Sequence, residues 1–110
     1  MDIETYRDYC LNRPFVTEEF PFDADTLVFK VKGKMFVLFN ISDFSSINLK
    51  CDPDKAIELR EQYEAVQPGY HMNKKHWNTI IIDGEIPRNT LCDFIKDSYQ
   101  LVAGSSKKKK

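Results

Sequence analysis

Between Leu27 and Ile41 the chain carries the pattern that most narrows its fold. Leu27, Phe29 and Val31 alternate with Val28, Lys30 and Lys32, the two-residue period of a half-buried strand. Lys32-Gly33-Lys34 interrupts the run, and glycine there accepts the positive φ that a tight hairpin turn often requires. Met35 to Ile41 then returns as a stretch apolar on both faces, which predicts a strand in the centre of a sheet.

The flanking segments predict what surrounds this hairpin. Asp2 is a suitable helix cap, and Ile3, Tyr6, Cys10 and Leu11 recur along one helical face until Arg13-Pro14 ends it. Glu18-Glu19-Phe20-Pro21-Phe22 reads as an extended or turning connection with its aromatics folded inward. After the polar turn Ser42 to Ser46, Ile47, Leu49 and Cys51 alternate with Asn48 and Lys50 as a third strand. Asp52 and Pro53 open a second helix, with Ala56, Leu59, Tyr63 and Val66 as its buried stripe and Gln67-Pro68-Gly69 as its stop. Two extended pieces follow, Tyr70 to Asn73 and Trp77 to Asp83, and Asp83-Gly84 supplies a turn. Pro87 opens a third helix whose stripe is Leu91, Ile95, Ser98 and Val102, with Gly104 as its stop. Ser98, facing inward, is expected to bond a backbone carbonyl one turn earlier. The order α-β-β-β-α-β-β-α predicts a two-layer α+β domain, helices against a mainly antiparallel sheet.

With 110 residues, 42% of them apolar, the chain can build one core. A single domain is expected over residues 1–104, followed by a flexible lysine-rich tail at 105–110. Residues 1–66 hold 8 basic and 13 acidic groups, and residues 67–110 hold 8 basic and 4 acidic. Half of the second basic set is Lys107 to Lys110, so the overall charge of −1 hides an acidic body. That balance weighs against strong nonspecific phosphate binding, which needs clustered cations, but leaves room for a local basic patch. Cys10, Cys51 and Cys92 form no Cys-x-x-Cys pair and read as reduced thiols of a cytoplasmic protein. Met1-Asp2-Ile3-Glu4 lacks the pattern of a secretory signal, and no window has the length of apolar sequence that a membrane helix needs.

The segment Asn73-Lys74-Lys75-His76-Trp77 concentrates groups suited to nucleic acid. Lys74 and Lys75 could meet phosphates, Asn73 and His76 could hydrogen-bond, and Trp77 could stack on a base. The competing reading makes Trp77 the start of a core strand and the lysines a solvated corner. His71 and His76 would lie on opposite faces of one strand, so a metal site would need a turn between them and a further ligand such as Cys51. No cysteine has activating neighbours, Ser98 is expected to be structural, and Glu18-Glu19, Asp52 and Asp54 occupy turn and cap positions. There is no glycine-rich phosphate loop. The chain is expected to be a binding module and not an enzyme, with no cofactor.

Pro68-Gly69-Tyr70-His71-Met72-Asn73-Lys74-Lys75-His76-Trp77-Asn78-Thr79 resembles the YjbR family, also called MmcQ/YjbR, most specifically at Met-Asn-Lys-Lys-His-Trp. Phe20-Pro21-Phe22, Gly33-Lys34-Met35-Phe36, Lys50-Cys51-Asp52-Pro53, Asp83-Gly84 and Ser98-Tyr99 with Val102 add to the resemblance, in the family's order. It implies a two-layer fold similar to secretion-chaperone-like and CyaY-like domains, and a DNA-binding role. On that reading Asn73, Lys74, Lys75, His76 and Trp77 form the contact surface, helped by Arg88 and the lysine tail. The alternative is a protein-interaction or chaperone-like module, monomeric or homodimeric, that presents its sheet or exposed aromatics such as Tyr6 and Tyr9 to a partner.

Overall fold

In the computed structural model, which describes residues 3–42, 44–69, 75–82 and 84–104, helix α1 (Ile3–Leu11) leads into four strands. These are β1 (Val16–Glu19), β2 (Thr26–Val31), β3 (Lys34–Asn40) and β4 (Ser46–Lys50). Helix α2 (Pro53–Gln62), strands β5 (Val66–Pro68) and β6 (Trp77–Ile81) and helix α3 (Arg88–Ala103) complete the chain. The strands form one sheet in the order β1-β2-β3-β4-β6-β5, antiparallel at every pairing. The α+β class and the antiparallel sheet stand as expected.

The β2–β3 hairpin closes at Lys32 and Gly33, with φ of 54° and 83°. Two successive positive φ angles give a primed turn, whose twist matches that of the flanking strands. Phe29 pairs with Val37 and Lys30 with Met35, which leaves Phe36 as an extra residue in β3. This bulge turns both Phe36 and Val37 toward the helices, and both are fully buried. One core lies between the sheet and the helices. Tyr6 and Cys10 of α1, Leu59 of α2, and Leu91, Ile95 and Val102 of α3 meet Phe29, Phe39, Ile47, Leu49 and Ile80 there. The α3 stripe read from the sequence, Leu91, Ile95, Ser98 and Val102, is the buried set of that helix.

Four expectations need correction, the first being the exposure of Tyr6, which is fully buried in the core. The segment read as a connection at Glu18 and Glu19 is the end of an edge strand, β1, which pairs with β2 from Val16↔Val31 to Glu19↔Val28. Its flanking aromatics do not fold inward: Phe20 is 47% and Phe22 62% exposed. The second helix stops at Gln62, and Val66 belongs to β5. Tyr63 turns extended, and the Glu85 carboxylate accepts the Glu64 and Ala65 amides at 3.2 and 2.8 Å, giving the backbone partners outside a helix. Ser98 bonds across the layers, not along its own helix: its Oγ donates to the Phe36 carbonyl at 2.6 Å and accepts the Lys50 amide at 3.0 Å.

Asp52 caps α2 as read, its Oδ2 accepting the Asp54 and Lys55 amides at 3.2 and 3.3 Å. The expected cap Asp2, the piece Tyr70 to Asn73, the turn residue Asp83 and the tail 105–110 lie outside the described residues. Among the described residues no helix is long and apolar enough to cross a membrane.

Candidate functional site

The antiparallel register collects several chain segments at one end of the sheet. The β2–β3 turn brings Lys32 and Lys34, and β4 ends at Lys50. Lys75 and His76 immediately precede β6, whose first residue Trp77 pairs with Lys50. The Cys51 amide donates to the His76 carbonyl at 2.7 Å and locks the two strand ends together. The first turn of α2 adds Lys55. Lys34, Lys50 and His76 line a common hollow of about 240 Å³ together with Asp52 and Pro53.

The opposite end is acidic. Asp23 and Asp25 occupy the β1–β2 connection, where Asp23 accepts the Asp25 and Thr26 amides and Asp25 accepts the Ser42 amide. Glu64 and Glu85 meet there between α2 and β5. Hydrogen bonds from the backbone hold the Asp23 carboxyl below the ordinary range, and bonds from Ser42 do the same for Asp25. Lysines thus gather at one end of the sheet, where Asp52 and Asp54 lie among them, and Asp23, Asp25, Glu64 and Glu85 gather at the other.

Of the residues singled out by sequence, Lys75 is exposed and His76 half-buried at the basic end. Asn73 and Lys74 lie outside the described residues. Trp77 is 5% exposed, with Lys50 Nζ 5.9 Å from its ring centroid. Its neighbour Asn78 faces the helices, where Oδ1 accepts Arg60 Nε at 2.8 Å and Nδ2 donates to the Ala56 carbonyl at 3.3 Å. Alternation along β6 thus sets Trp77 on the helix-free face, in a buried position where stacking on a base would require it to move. Arg88 is not gathered with the others. It starts α3, and Ser98, which touches the Lys50 amide, lies roughly 15 Å farther along the same helix. Lys32, Lys34 and Lys50 form no run with Lys75 and His76 in the sequence: strand pairing brings them together, and the start of α2 sets Lys55 beside them. The Lys-Gly-Lys turn was the one local signal.

The thiols are poorly suited to nucleophilic work. Burial, reinforced by nearby Cys92, pushes Cys10 up to about 12, and burial with the neighbouring Asp52 charge pushes Cys51 up to about 11. Burial also raises Cys92. Cys51, Asp52 and His76 are neighbours at the basic end, yet no three His, Cys, Asp or Glu side chains among the described residues converge to hold a metal ion.

The YjbR family model matches residues 11–101. The uncharacterised protein YbdF of Escherichia coli O157:H7 is 42% identical over 100 residues, covering 90% of this chain and 82% of that protein. The uncharacterised protein YjbR of Escherichia coli K12 is 30% identical over 101 residues, covering 91% of this chain and 86% of that protein. The crystal structure of Deinococcus radiodurans protein DR2400, described by domain DUF419, superposes with a TM-score of 0.89 at 38% identity. That match covers 98% of this chain and 82% of the other. Sequence and fold agree across nearly the whole chain, which belongs to the YjbR family.

Proposed function

We propose that the chain is a non-enzymatic, cytoplasmic DNA-binding module that meets the phosphate backbone with the basic end of its sheet. The observation that carries this reading is the convergence of Lys32, Lys34, Lys50, Lys55 and Lys75, with His76, on one end of an otherwise acidic body. Clustered ammonium groups displace the counterions of a duplex, and that release supplies sequence-independent affinity. Lys107 to Lys110 add four positive charges to the chain shortly after Gly104. Trp77 serves as a wall beneath Lys50 in this reading, so Trp77→Phe retains affinity.

Fluorescence anisotropy with a labelled duplex across a salt series tests it. Five phosphate contacts predict log K falling against log salt with a slope of about −4.5. Lys34→Glu with Lys75→Glu should weaken binding by at least tenfold and flatten that slope, in the full chain and in a chain ending at Gly104. Absence of saturable binding, or binding that disappears with the tail alone, refutes a site on the folded domain. A protein-interaction reading draws on a different observation, the exposure of Phe15, Phe20 and Phe22 around edge strand β1. A stoichiometric protein partner lost on Phe20→Ser would favour it.

A further inference from the structure

The helices pack on one face of the sheet, and the other face carries the row Leu38, Asn48, Thr79 and Gln67, paired in register across β3, β4, β6 and β5. This row helps to line a hollow of about 670 Å³. The hollow reaches from the β1–β2 connection, which carries Phe22, to edge strand β5, which carries Gln67. From β2 to β5 it spans four strand spacings, about 19 Å. Leu38 and Thr79 are its buried floor, and Phe22 stands 62% exposed at one limit.

None of the described residues that line the hollow is charged. Thr79 Oγ1 donates to Asn48 Oδ1 at 2.6 Å, and Asn40 Nδ2 donates to Asp25 at 3.1 Å. The Ser46 hydroxyl and the Gln67 amide have no partner among the described residues, so their donors and acceptors remain for a guest. Positive charge begins one row away. Lys50, two residues beyond Asn48 on β4 and so about 7 Å along the same face, holds its Nζ 5.9 Å from the Trp77 ring centroid. It has no ion pair among the described residues, whereas Lys30 on this face is paired with Glu19 at 3.1 Å. Exposed Lys75 lies just before β6.

Uncharged hydrogen-bonding groups beside an uncompensated cation complement a nucleotide, whose base edge is neutral and whose phosphate is anionic. A recess also selects the form of the nucleic acid. It receives a base splayed out from a single strand, whereas a duplex stacks its bases inside and shows their edges only in grooves that a concave face cannot enter. We propose that the helix-free face of the sheet binds single-stranded DNA, its bases in the hollow between Phe22 and Gln67 and its phosphates along Lys50 and Lys75. Phe22 offers a ring for stacking, and the Gln67 amide offers a donor and an acceptor to a base edge. This site rests on the reading of the basic end as a DNA-binding surface and specifies which form of DNA that surface prefers.

Fluorescence anisotropy of the full chain tests it, comparing a labelled strand of about fifteen nucleotides with the same strand annealed to its complement at one salt concentration. The single strand should bind at least tenfold more tightly. Phe22→Ala should weaken the single strand at least fivefold and change duplex affinity less than twofold. Gln67→Glu, which keeps the shape of the side chain and sets a carboxylate in the hollow, should weaken the single strand at least tenfold. Both side chains are exposed, so each variant should keep the urea midpoint of the parent. Amide chemical shifts on adding unlabelled strand should be largest at Asn48, Thr79 and Ile81. A duplex bound as tightly as the single strand, single-strand affinity indifferent to both variants, or shifts centred on α2 and α3 overturns the sheet-face site. The basic end survives those results if duplex binding is still lost with Lys34→Glu and Lys75→Glu, and binding of neither form overturns both readings.

Discussion

Ser98 shows how a single hydroxyl can fix the relation of two layers. The bulge at Phe36 and the end of β4 each leave a backbone group facing α3, a carbonyl from one and an amide from the other. A hydroxyl donates once and accepts as well, so one serine satisfies both. Ser98→Ala leaves the two groups without that partner in a site 1% exposed, and should destabilise the fold by about 1–3 kcal/mol in urea denaturation. Ser98→Thr, which keeps the hydroxyl, should recover part of that loss. The cysteines give a second residue-scale test. With its thiol pushed up to about 12 and fully buried, Cys10 should resist alkylation by iodoacetamide at pH 8 until the protein unfolds. Mass spectrometry of native and urea-treated samples measures this, and rapid native labelling of Cys10 would contradict its placement in the core.

At the scale of elements, the start of α2 combines a cap, a proline and the beginning of the basic lining. Asp52→Ala removes the acceptor of the Asp54 and Lys55 amides and should cost about 1 kcal/mol, read as a lower urea midpoint with an unchanged slope. Asp52→Asn, which preserves an oxygen acceptor, should lose much less. This helix start was legible in the sequence because cap and proline act locally, and its end was not. Tyr63 and Val66 continue the apolar spacing of α2, whereas the carboxylate that receives the next two amides comes from Glu85, 20 residues beyond Ala65. Strand β1 was hidden in the same way. Val16 and Thr17 favour a strand but Glu18 and Glu19 do not, and four residues give too short a pattern to read; what orders the segment is tertiary, the ladder to β2 and the two bonds from Arg7 to Glu18, at 2.7 and 2.5 Å. The basic cluster follows the same rule, since Lys75 and His76 are readable from a local run, whereas Lys34 and Lys50 join them through strand pairing and Lys55 through the start of α2. Trp77 was read both as a base-stacking group and as the first residue of a core strand, and its burial agrees with the second.

Across the whole molecule, the separation of charge makes stability depend on pH in a localised way. Glu18 is held below the ordinary carboxylate range chiefly by its hydrogen bonds from Arg7, and Asp23 and Asp25 are lowered by bonds from the backbone and from Ser42. A carboxyl whose folded-state value is depressed stabilises the fold above its unfolded value, about 4, and ceases to do so as pH falls through the folded value. All three groups lie on β1 or on its connection to β2. Acidification should therefore lower the melting temperature progressively below about pH 5, and hydrogen exchange should accelerate in β1 before it does in β3 and β4. Arg7→Gln removes the main cause of the Glu18 shift and should make the melting temperature less sensitive to pH between about 5 and 3, while lowering it at neutral pH. A steeper dependence in that variant, or exchange that begins in the central strands, would show that acid acts elsewhere in the molecule. The edge strand is the element expected to yield first, because it has one strand neighbour and an ion pair with half-exposed partners where β3 has a neighbour on each side and a buried core face.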